Sequence, residues 1–302
     1  MRVNPNFVPD IQNALNQSQA ELNTALEVVA TGKSVNQPSD NPIASAGLVQ
    51  NQIETADVDQ YTQNVSNASS QVEAASSALS NVVSLLTKAV ADGTNGASGS
   101  SGSALPSLIQ DVQDVLTSVV SQANSSFQGS FLFGGTDTAN TPFTASAASP
   151  TGFQYNGNQG QNSVAVGDNQ SVQVNIPGDQ IFDNPTNPSA SVLGSLSQLV
   201  TALQSGNTAN ISTATANVTT ALNYVSQQQE FYGNVDSQLS SQTTFLQQET
   251  VSLTTQQSTL SGVNLPQAAT NLAQAETANS AALAAAAKVL PTTLLNFLAP
   301  PN

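Results

Sequence analysis

Residues 211–263 read ISTATANVTTALNYVSQQQEFYGNVDSQLSSQTTFLQQETVSLTTQQSTLSGV, and apolar side chains recur in this stretch at alternating intervals of three and four residues. One stripe is apolar throughout: Ile211, Val218, Val225, Tyr232, Leu239, Leu246, Leu253 and Leu260. A second stripe is half polar: Ala214, Ala221, Gln228, Val235, Gln242, Glu249, Gln256 and Val263. A narrow apolar seam of this kind is buried only against another helix, so the pattern predicts one long helix that pairs with a second.

The same spacing recurs near the other end of the chain, where it predicts the partner helix. This helix should begin at Pro42, after an Asn41 cap, and run to about Val90. Its seam consists of Val58, Tyr61, Val65, Ala68, Val72, Ala75, Leu79, Val82, Leu86 and Ala89. A shorter helix over residues 6–30 precedes it, and Gly32 is expected to end that helix.

The middle of the chain is predicted to contain a third helix and a small antiparallel β unit. The helix covers residues 105–127 and follows a flexible connection over residues 92–104, which is rich in Gly and Ser. Beyond it the hydrophobic period changes to two, with a strand over residues 130–133 that ends at Gly134-Gly135. Later apolar residues alternate with polar ones: Val164, Val166, Val172, Val174 and Ile176.

The chain is expected to return through helices on its C-terminal side. Helix resumes near Ser191, breaks at Gly206-Asn207 and continues as the long helix until Pro266 interrupts it. Beyond this proline the seam consists of Ala268, Leu272, Ala275, Asn279, Ala282, Ala286 and Val289. Because alanine buries too little area to hold such a helix alone, we expect the last helix to pack within an assembly.

These elements define a mainly α chain with a small β domain, an α+β fold class. Long helices from both chain ends should pair as an antiparallel coiled coil, with the antiparallel β domain inserted between them. The predicted parts are an N-terminal assembly helix (1–35), the N-terminal half of a helical rod domain (36–127), a β-rich outer domain (128–189), the C-terminal half of the rod domain (190–263) and a C-terminal assembly helix (264–302).

The composition of the chain excludes several classes of function. Charged residues form 8% of the 302 residues, and the net charge is −15. The four basic residues, Arg2, Lys33, Lys88 and Lys288, are too few and too scattered to bind nucleic acid or an anionic membrane. Cysteine and histidine are absent, which excludes disulfides, the usual zinc sites and the commonest general base. The N-terminus lacks the apolar run of a cleaved secretory signal, so we expect any export to use another route.

Paired carboxylates are the nearest approach to a catalytic pattern. Asp57 and Asp59, or Asp111 and Asp114, are formally compatible with a glycosidase-like acid and nucleophile. On helices, however, the first two point to different faces and the second two fit a solvated stripe. We therefore predict no enzyme activity, no catalytic residue, no cofactor and no metal site. The polar members of the second stripe have two interpretations: a half-exposed flank of the seam, or control of helix register by buried polar groups.

Three segments carry a resemblance to a known family. They are TGKSVNQPSDNP at 31–42, GSFLFGGTDT at 129–138 followed by PF at 142–143, and AAKV at 286–289 with LLNFL at 294–298. In this order they resemble the flagellin superfamily of bacterial flagella, and in particular its hook-filament junction family, the third hook-associated proteins. The residues that carry the match are Gly32, Lys33, Pro38, Asp40 and Pro42 in the turn, and Phe131, Leu132, Phe133, Gly134 and Gly135 in the strand.

The resemblance implies a flagellin-like architecture whose terminal helices become ordered as coiled coil in the polymer. It implies a structural adaptor that joins the hook, through the first hook-associated protein, to the flagellin filament by helical self-association. It also implies secretion through the flagellar type III apparatus to the extracellular flagellum, with a dedicated export chaperone. The expected assembly interface consists of Ile11, Leu15, Leu22, Val29, Leu272, Ala275, Ala282, Leu283, Val289, Leu294, Leu295 and Phe297.

The chain departs from the family pattern at Asn264-Leu265-Pro266, where an acidic residue usually opens the terminal helix, and in the tail at 299–302. Two alternative functions stay open. Flagellin, the filament subunit, shares the terminal pattern, although the strand motif at 131–135 argues against it. A secreted surface adhesin or enzyme on a helical stalk belongs to another class, and it would bind its ligand within residues 128–189.

Overall fold

A computed structural model describes residues 7–98, 104–147, 149, 151–184 and 190–298, and it describes side chains from Pro9 to Lys288 within these ranges. The described chain divides into two compact units. The terminal unit contains the residues up to Asp57 and those from Glu249 onward, and the central unit contains Val58–Gln248.

Six helices account for most of the described residues. They are α1 (Phe7–Thr31), α2 (Pro42–Ala97), α3 (Leu105–Ala123), α4 (Val192–Ser205), α5 (Thr208–Ser261) and α6 (Leu265–Leu298). The local signals at their ends agree with the sequence. Gly32 follows α1 with a positive φ of 68°, and Gly206 follows α4 with a φ of 65°. Ser191 caps α4 by accepting a hydrogen bond from the Gly194 amide.

The α2 and α5 seams pair in antiparallel fashion within each unit, as predicted. In the terminal unit Asn51 Nδ2 donates to the Leu253 carbonyl at 2.9 Å. In the central unit Ser69 Oγ donates to Asp236 Oδ1 at 3.4 Å. Nine of the ten predicted α2 seam residues are buried: Val58, Val65, Ala68, Val72, Ala75, Leu79, Val82, Leu86 and Ala89. The α5 stripe is buried from Ile211 to Leu253, so the spacing identified the core of both helices.

Among the described residues, the β region contains three separate two-stranded antiparallel ladders. Strands β1 (Ser126–Phe127) and β2 (Ser130–Phe131) form the first, β3 (Phe143–Ala145) and β4 (Phe153–Tyr155) the second, and β5 (Ser163–Gly167) and β6 (Gln170–Gln173) the third. Of the predicted alternating residues, Val164, Val166 and Val172 lie on the third ladder, where Val164 faces Val172. Val174 and Ile176 follow β6 outside the ladder and are buried. A π-helical turn at Asp179–Asp183, which the sequence did not predict, connects this region to α4.

Two expectations for this part of the chain are wrong in detail. The predicted strand at 130–133 ends at Phe131, because Leu132 and Phe133 turn into the core, where they are 4% and 0% exposed. The predicted helix over residues 105–127 ends at Ala123, and Ser126–Phe127 is instead the first strand.

The predicted flexible connection over residues 92–104 is wrong for its first part, since α2 continues to Ala97. The cause is packing within the central unit. A Cβ on Gly93 would lie 2.3 Å from Thr215 Oγ1, and a Cβ on Gly96 would lie 2.5 Å from Leu203 Cδ2. The glycines that look like a linker therefore allow a close helix contact, and the contact compensates for their poor helix propensity. Residues 99–103 lie outside the described part.

One described helix, α2, is long and apolar enough by composition to cross a membrane. Its Val72, Leu79 and Leu86 side chains are fully buried in the central unit. A core helix gives the same composition signal, so this finding does not indicate a membrane span.

Candidate assembly surface

The terminal unit holds the residues that the sequence predicts as an assembly interface. Helices α1 and α6 pack against each other in antiparallel fashion, with the end of α1 beside the start of α6. The predicted interface residues on the inner faces of this pair are half-buried: Ile11, Leu15, Leu22, Val29, Leu272, Ala275 and Ala282. Ala268 and Ala286 are fully buried between them. The two helices therefore pack together but bury little apolar area, because alanine supplies much of their seam.

Leu283 differs from the other predicted interface residues, because 48% of it is exposed. It lies next to Ala282 of the α6 seam. Val289, Leu294, Leu295 and Phe297 belong to the helical part of α6, but their side chains lie outside the described residues.

Exposed large hydrophobic residues are concentrated in the terminal unit. Seven of the eight among the described side chains belong to it: Leu26, Ile43, Val49, Ile53, Val251, Leu265 and Leu283. The eighth, Phe245, belongs to the central unit. Single exposed apolar residues are normal on a protein surface, but such a concentration on one unit is typical of an interaction surface.

The α1–α6 pair also encloses an open groove of about 490 Å³ near the start of α6. Small apolar side chains line it together with polar ones, and the apolar residues are Ala20, Ala25, Val28, Val263 and Ala268. The groove exists because alanine on both helices leaves space that a larger side chain would fill. It is a concave apolar feature on the same unit as the exposed leucines.

Two polar atoms are buried in this seam without a hydrogen-bond partner among the described residues. They are Ser18 Oγ and Asn279 Oδ1, at one seam position of each helix. An unpaired buried polar atom costs about 1–3 kcal/mol, so these atoms weaken the α1–α6 pair. The 3,4 spacing beyond Pro266 identified Asn279 as a seam member and gave no sign of this cost.

The turn between α1 and α2 is held by hydrogen bonds from its own polar residues. Asp40 Oδ2 accepts hydrogen bonds from the Asn36 and Gln37 amides at 2.9 and 2.8 Å. Asn41 Oδ1 accepts one from the Ala44 amide at 3.0 Å, which caps α2 just before Pro42. Four of the five predicted turn residues, Gly32, Lys33, Pro38 and Asp40, thus lie in one short structured connection, and the fifth, Pro42, is the first residue of α2.

The predicted strand motif is a packing element of the central unit. Phe133 meets Phe182 edge to face, with ring centroids 5.3 Å apart, and the Tyr155 hydroxyl donates to the Phe133 carbonyl at 3.0 Å. Burial raises the pKa of Tyr155 to about 12. A Cβ on Gly134 would lie 2.2 Å from the Asp137 carbonyl, and one on Gly135 would lie 2.2 Å from the Asn158 carbonyl. Both glycines are needed because the backbone approaches closely at these points.

Charges do little to organise either unit. Among the described residues the one ion pair joins Lys88 Nζ to Asp111 Oδ1 at 3.7 Å, in the central unit. Burial raises the pKa of Asp92, and the nearby Asp111 charge raises it further, while Lys88 opposes both effects. Burial also raises the pKa of Asp183. Asp57 and Asp59 are exposed, and no three acidic side chains within the described ranges are grouped to hold a metal ion.

Several polar contacts that position the helices were missed by the sequence patterns. Gln242 Nε2 donates to the Val166 carbonyl at 2.8 Å, and Gln256 Oε1 accepts from Asn51 Nδ2 at 3.1 Å. These two members of the half-polar stripe thus have specific partners rather than forming only an exposed flank. Asn51 itself, 3% exposed, gave no signal because Asn was common throughout the chain.

Family comparisons agree with this arrangement of terminal helices. The family description "Bacterial flagellin N-terminal helical region" matches residues 8–138. The description "Bacterial flagellin C-terminal helical region" matches residues 215–298, so the two together cover more than half of the chain. The chain belongs to the flagellin family. No curated protein matches it.

Solved structures share the fold of this flagellin-family chain. FlgL from Bacillus cereus is 19% identical with a TM-score of 0.60, and the match covers 69% of this chain and 99% of that one. Hook associated protein-3 from Legionella pneumophila is 15% identical with a TM-score of 0.63, covering 70% and 98%. FlgL from Xanthomonas campestris is 16% identical with a TM-score of 0.59, covering 68% and 98%.

These matches confirm the predicted fold class, mainly α with antiparallel strands between long helices from both ends. They also confirm the resemblance stated from the sequence at the level of family and fold. A flagellin-family chain with this fold has a structural role in the bacterial flagellum, within its axial assembly.

Proposed function

We propose that this chain is a junction adaptor of the bacterial flagellum, which joins the hook side to the flagellin filament by helical self-association. The names of the structural neighbours support this choice within the family, since they include a flagellar junction protein and a hook associated protein. The chain covers nearly the whole length of those neighbours, 100% and 98%. Flagellin, the filament subunit, is the main alternative.

The observation that carries the assembly part of the proposal is the concentration of exposed apolar residues on the terminal unit. A unit whose two terminal helices share a shallow seam gains stability when further helices cover it. Its neighbours in the axial structure would be further copies of the chain, the first hook-associated protein on one side and flagellin on the other. During secretion an export chaperone would cover the C-terminal region.

Immunogold electron microscopy distinguishes the junction protein from flagellin. An epitope tag inserted in the exposed Asp168-Asn169 turn between β5 and β6 would be labelled on intact flagella of the source bacterium. The junction function predicts a single narrow band of label between hook and filament. Label along the whole filament would instead identify the chain as flagellin.

A deletion strain tests the same proposal at the level of assembly. Without the junction protein, hooks should form and flagellin should leak into the medium as monomer, because the filament has no adaptor on which to grow. A deletion strain that still bears full-length, attached filaments would contradict the proposal.

Leu283 offers a direct test of the surface. Leu283→Asp should leave the monomer folded, because the side chain is already 48% exposed, yet it should stop assembly by placing a charge in an apolar interface. The matched control is Ser280→Asp, which adds the same charge to an exposed polar position of α6. Motility on soft agar and flagellar counts measure the effect. Normal motility of the Leu283→Asp strain would exclude this residue from the interface.

A further inference from the structure

Two connections that are far apart in sequence meet at the base of the α1–α6 pair. One is the α1–α2 connection at residues 32–41, and the other is the α5–α6 connection at residues 262–264. Lys33 and Gly262 form an isolated antiparallel β-bridge between them. Both connections belong to the terminal unit.

Ser34 supplies the central contact of this meeting point. Its amide donates to the Ser261 carbonyl at 2.7 Å, and its hydroxyl donates to the same carbonyl at 3.2 Å. Ser261 is the last residue of α5, and the final carbonyls of a helix have no partner within the helix. Ser34 therefore caps the C-terminus of α5 from 227 residues away in the sequence.

Each side of the contact is held in place by its own connection. On the α1–α2 side, Val35 is 8% exposed, and Asp40 accepts hydrogen bonds from the Asn36 and Gln37 amides. On the α5–α6 side, the Gly262 amide donates to the Ser258 carbonyl at 2.7 Å. A Cβ on Gly262 would lie 2.3 Å from that carbonyl, so glycine is required for this close return of the backbone.

We propose that the contact between Ser34 and Ser261 is a joint that couples the two terminal helices of the chain. Because α1 ends at Thr31, just before Ser34, and α6 begins at Leu265, just after Ser261, order at the base of α1 stabilises the base of α6, and the reverse. The coupling acts in addition to the shallow α1–α6 seam. The coupling would make α1 and α6 behave as one element toward any partner. The proposal therefore does not depend on the proposed junction function.

Hydrogen exchange of the full-length monomer, read by mass spectrometry, tests the joint. Ser34→Ala removes the side-chain hydrogen bond and should lower protection about 2- to 10-fold in the last turn of α5 and the first two turns of α6. Ser39→Ala is the matched control, because Ser39 is an exposed serine of the same connection. Gly262→Ala, on the other connection, should lower protection in the last two turns of α1, since coupling between two sites is reciprocal.

The α1–α6 seam could transmit these changes in protection without the Ser34–Ser261 contact. The same substitution is therefore also made in a variant with a weakened seam. Leu22→Ala weakens the α1–α6 seam at a residue outside the joint. If the joint acts directly, Ser34→Ala should lower protection at the base of α6 by the same factor in the Leu22→Ala background. Loss of that effect in this background, or protection changes confined to residues 31–36, would overturn the proposal.

An engineered disulfide supplies a test that does not require a weakened protein. The chain contains no cysteine, so Ser34→Cys with Ser261→Cys allows one disulfide only, and mass spectrometry of the oxidised variant verifies that it has formed before exchange is compared. Under oxidation, this double variant should raise protection at the bases of both α1 and α6 relative to its reduced form. Equal protection in the oxidised and reduced forms would also overturn the proposal.

Discussion

Tyr232 belongs to the apolar stripe of α5 but carries a hydroxyl group, and this hydroxyl makes a specific hydrogen bond. The residue is 1% exposed, and its hydroxyl accepts a hydrogen bond from the Ile176 amide at 3.2 Å. Ile176 is itself 8% exposed, so water has little access to this amide. The Tyr232→Phe substitution keeps the ring and removes the acceptor.

The expected loss follows from the unpaired amide. Removing one partner of a buried hydrogen bond costs about 1–3 kcal/mol, because the remaining group keeps its desolvation penalty. The ring continues to fill the same space, so packing contributes little to the change. For a unit the size of Val58–Gln248 this loss corresponds to a decrease in melting temperature of roughly 2 to 12 °C.

Thermal and urea unfolding, followed by circular dichroism, measure this loss in the full-length chain. Tyr224→Phe is the matched control on the same helix. The Tyr224 hydroxyl donates to the Gln180 carbonyl at 2.8 Å in an exposed setting, where water can replace it. We expect the control to cost less than about 0.5 kcal/mol. Equal losses for the two variants would refute the argument that the buried Ile176 amide depends on Tyr232.

The same residue predicts the response to alkaline pH. Burial raises the pKa of Tyr232 well above its ordinary value of 10.0. An unfolded chain loses that proton near pH 10, whereas the folded chain keeps it, so the stabilising contribution decreases as pH rises above 10. Tyr232→Phe should therefore show a shallower loss of stability above pH 10 than the wild-type chain.

Three further predictions concern other parts of the molecule. Gly96→Ala should destabilise the central unit by about 1–2 kcal/mol, because the new Cβ would lie 2.5 Å from Leu203 Cδ2. Gly233→Ala, with open space around the new Cβ, should instead stabilise α5 by about 0.5–1 kcal/mol, and urea unfolding of both variants measures the two changes. Lowering the pH from 7 to 4 should change the melting temperature only modestly. The raised pKa values of Asp92 and Asp183 add stability as the pH falls toward 3.8, whereas the Asn140 hydrogen bond that lowers the pKa of Asp137 acts in the opposite direction. Light scattering should increase near the pI of 4.1, and a large decrease in melting temperature would contradict this prediction. Asp40→Ala should destabilise the α1–α2 connection by about 1 kcal/mol, because the Asn36 and Gln37 amides lose their acceptor. Faster hydrogen exchange at these two amides would detect the loss, and unchanged exchange at both would show that water replaces the carboxylate fully.

The sequence predicted those features that repeat or that act locally. The apolar stripe of α5 is buried from Ile211 to Leu253, because residues spaced by three and four lie on one face of a helix. Gly32, Asn41, Ser191 and Gly206 marked helix ends correctly, because each satisfies or frees backbone groups next to it in the chain.

Features that depend on distant partners could not be predicted. Gly93 and Gly96 look like a linker until Thr215 and Leu203 are placed against them. The strand over residues 130–133 is shortened because Phe133 packs against the ring of Phe182, which lies far along the chain and also contacts Phe143. The joint at Ser34 likewise depends on Ser261, and a lone serine after a helix gives no sign of a partner 227 residues away.

The two units differ in how completely they bury the apolar seams of their helices. In the central unit the α5 stripe residues Ile211, Val218, Val225 and Leu239 are all 0% exposed. In the terminal unit the α1–α6 seam is half-buried, relies on alanine and contains the unpaired atoms of Ser18 and Asn279. Each buried apolar group contributes in proportion to the area it removes from water, so the central unit can be stable by itself. The terminal unit has the most to gain from further helices, and this difference is what a subunit needs if it is to fold first and assemble afterwards.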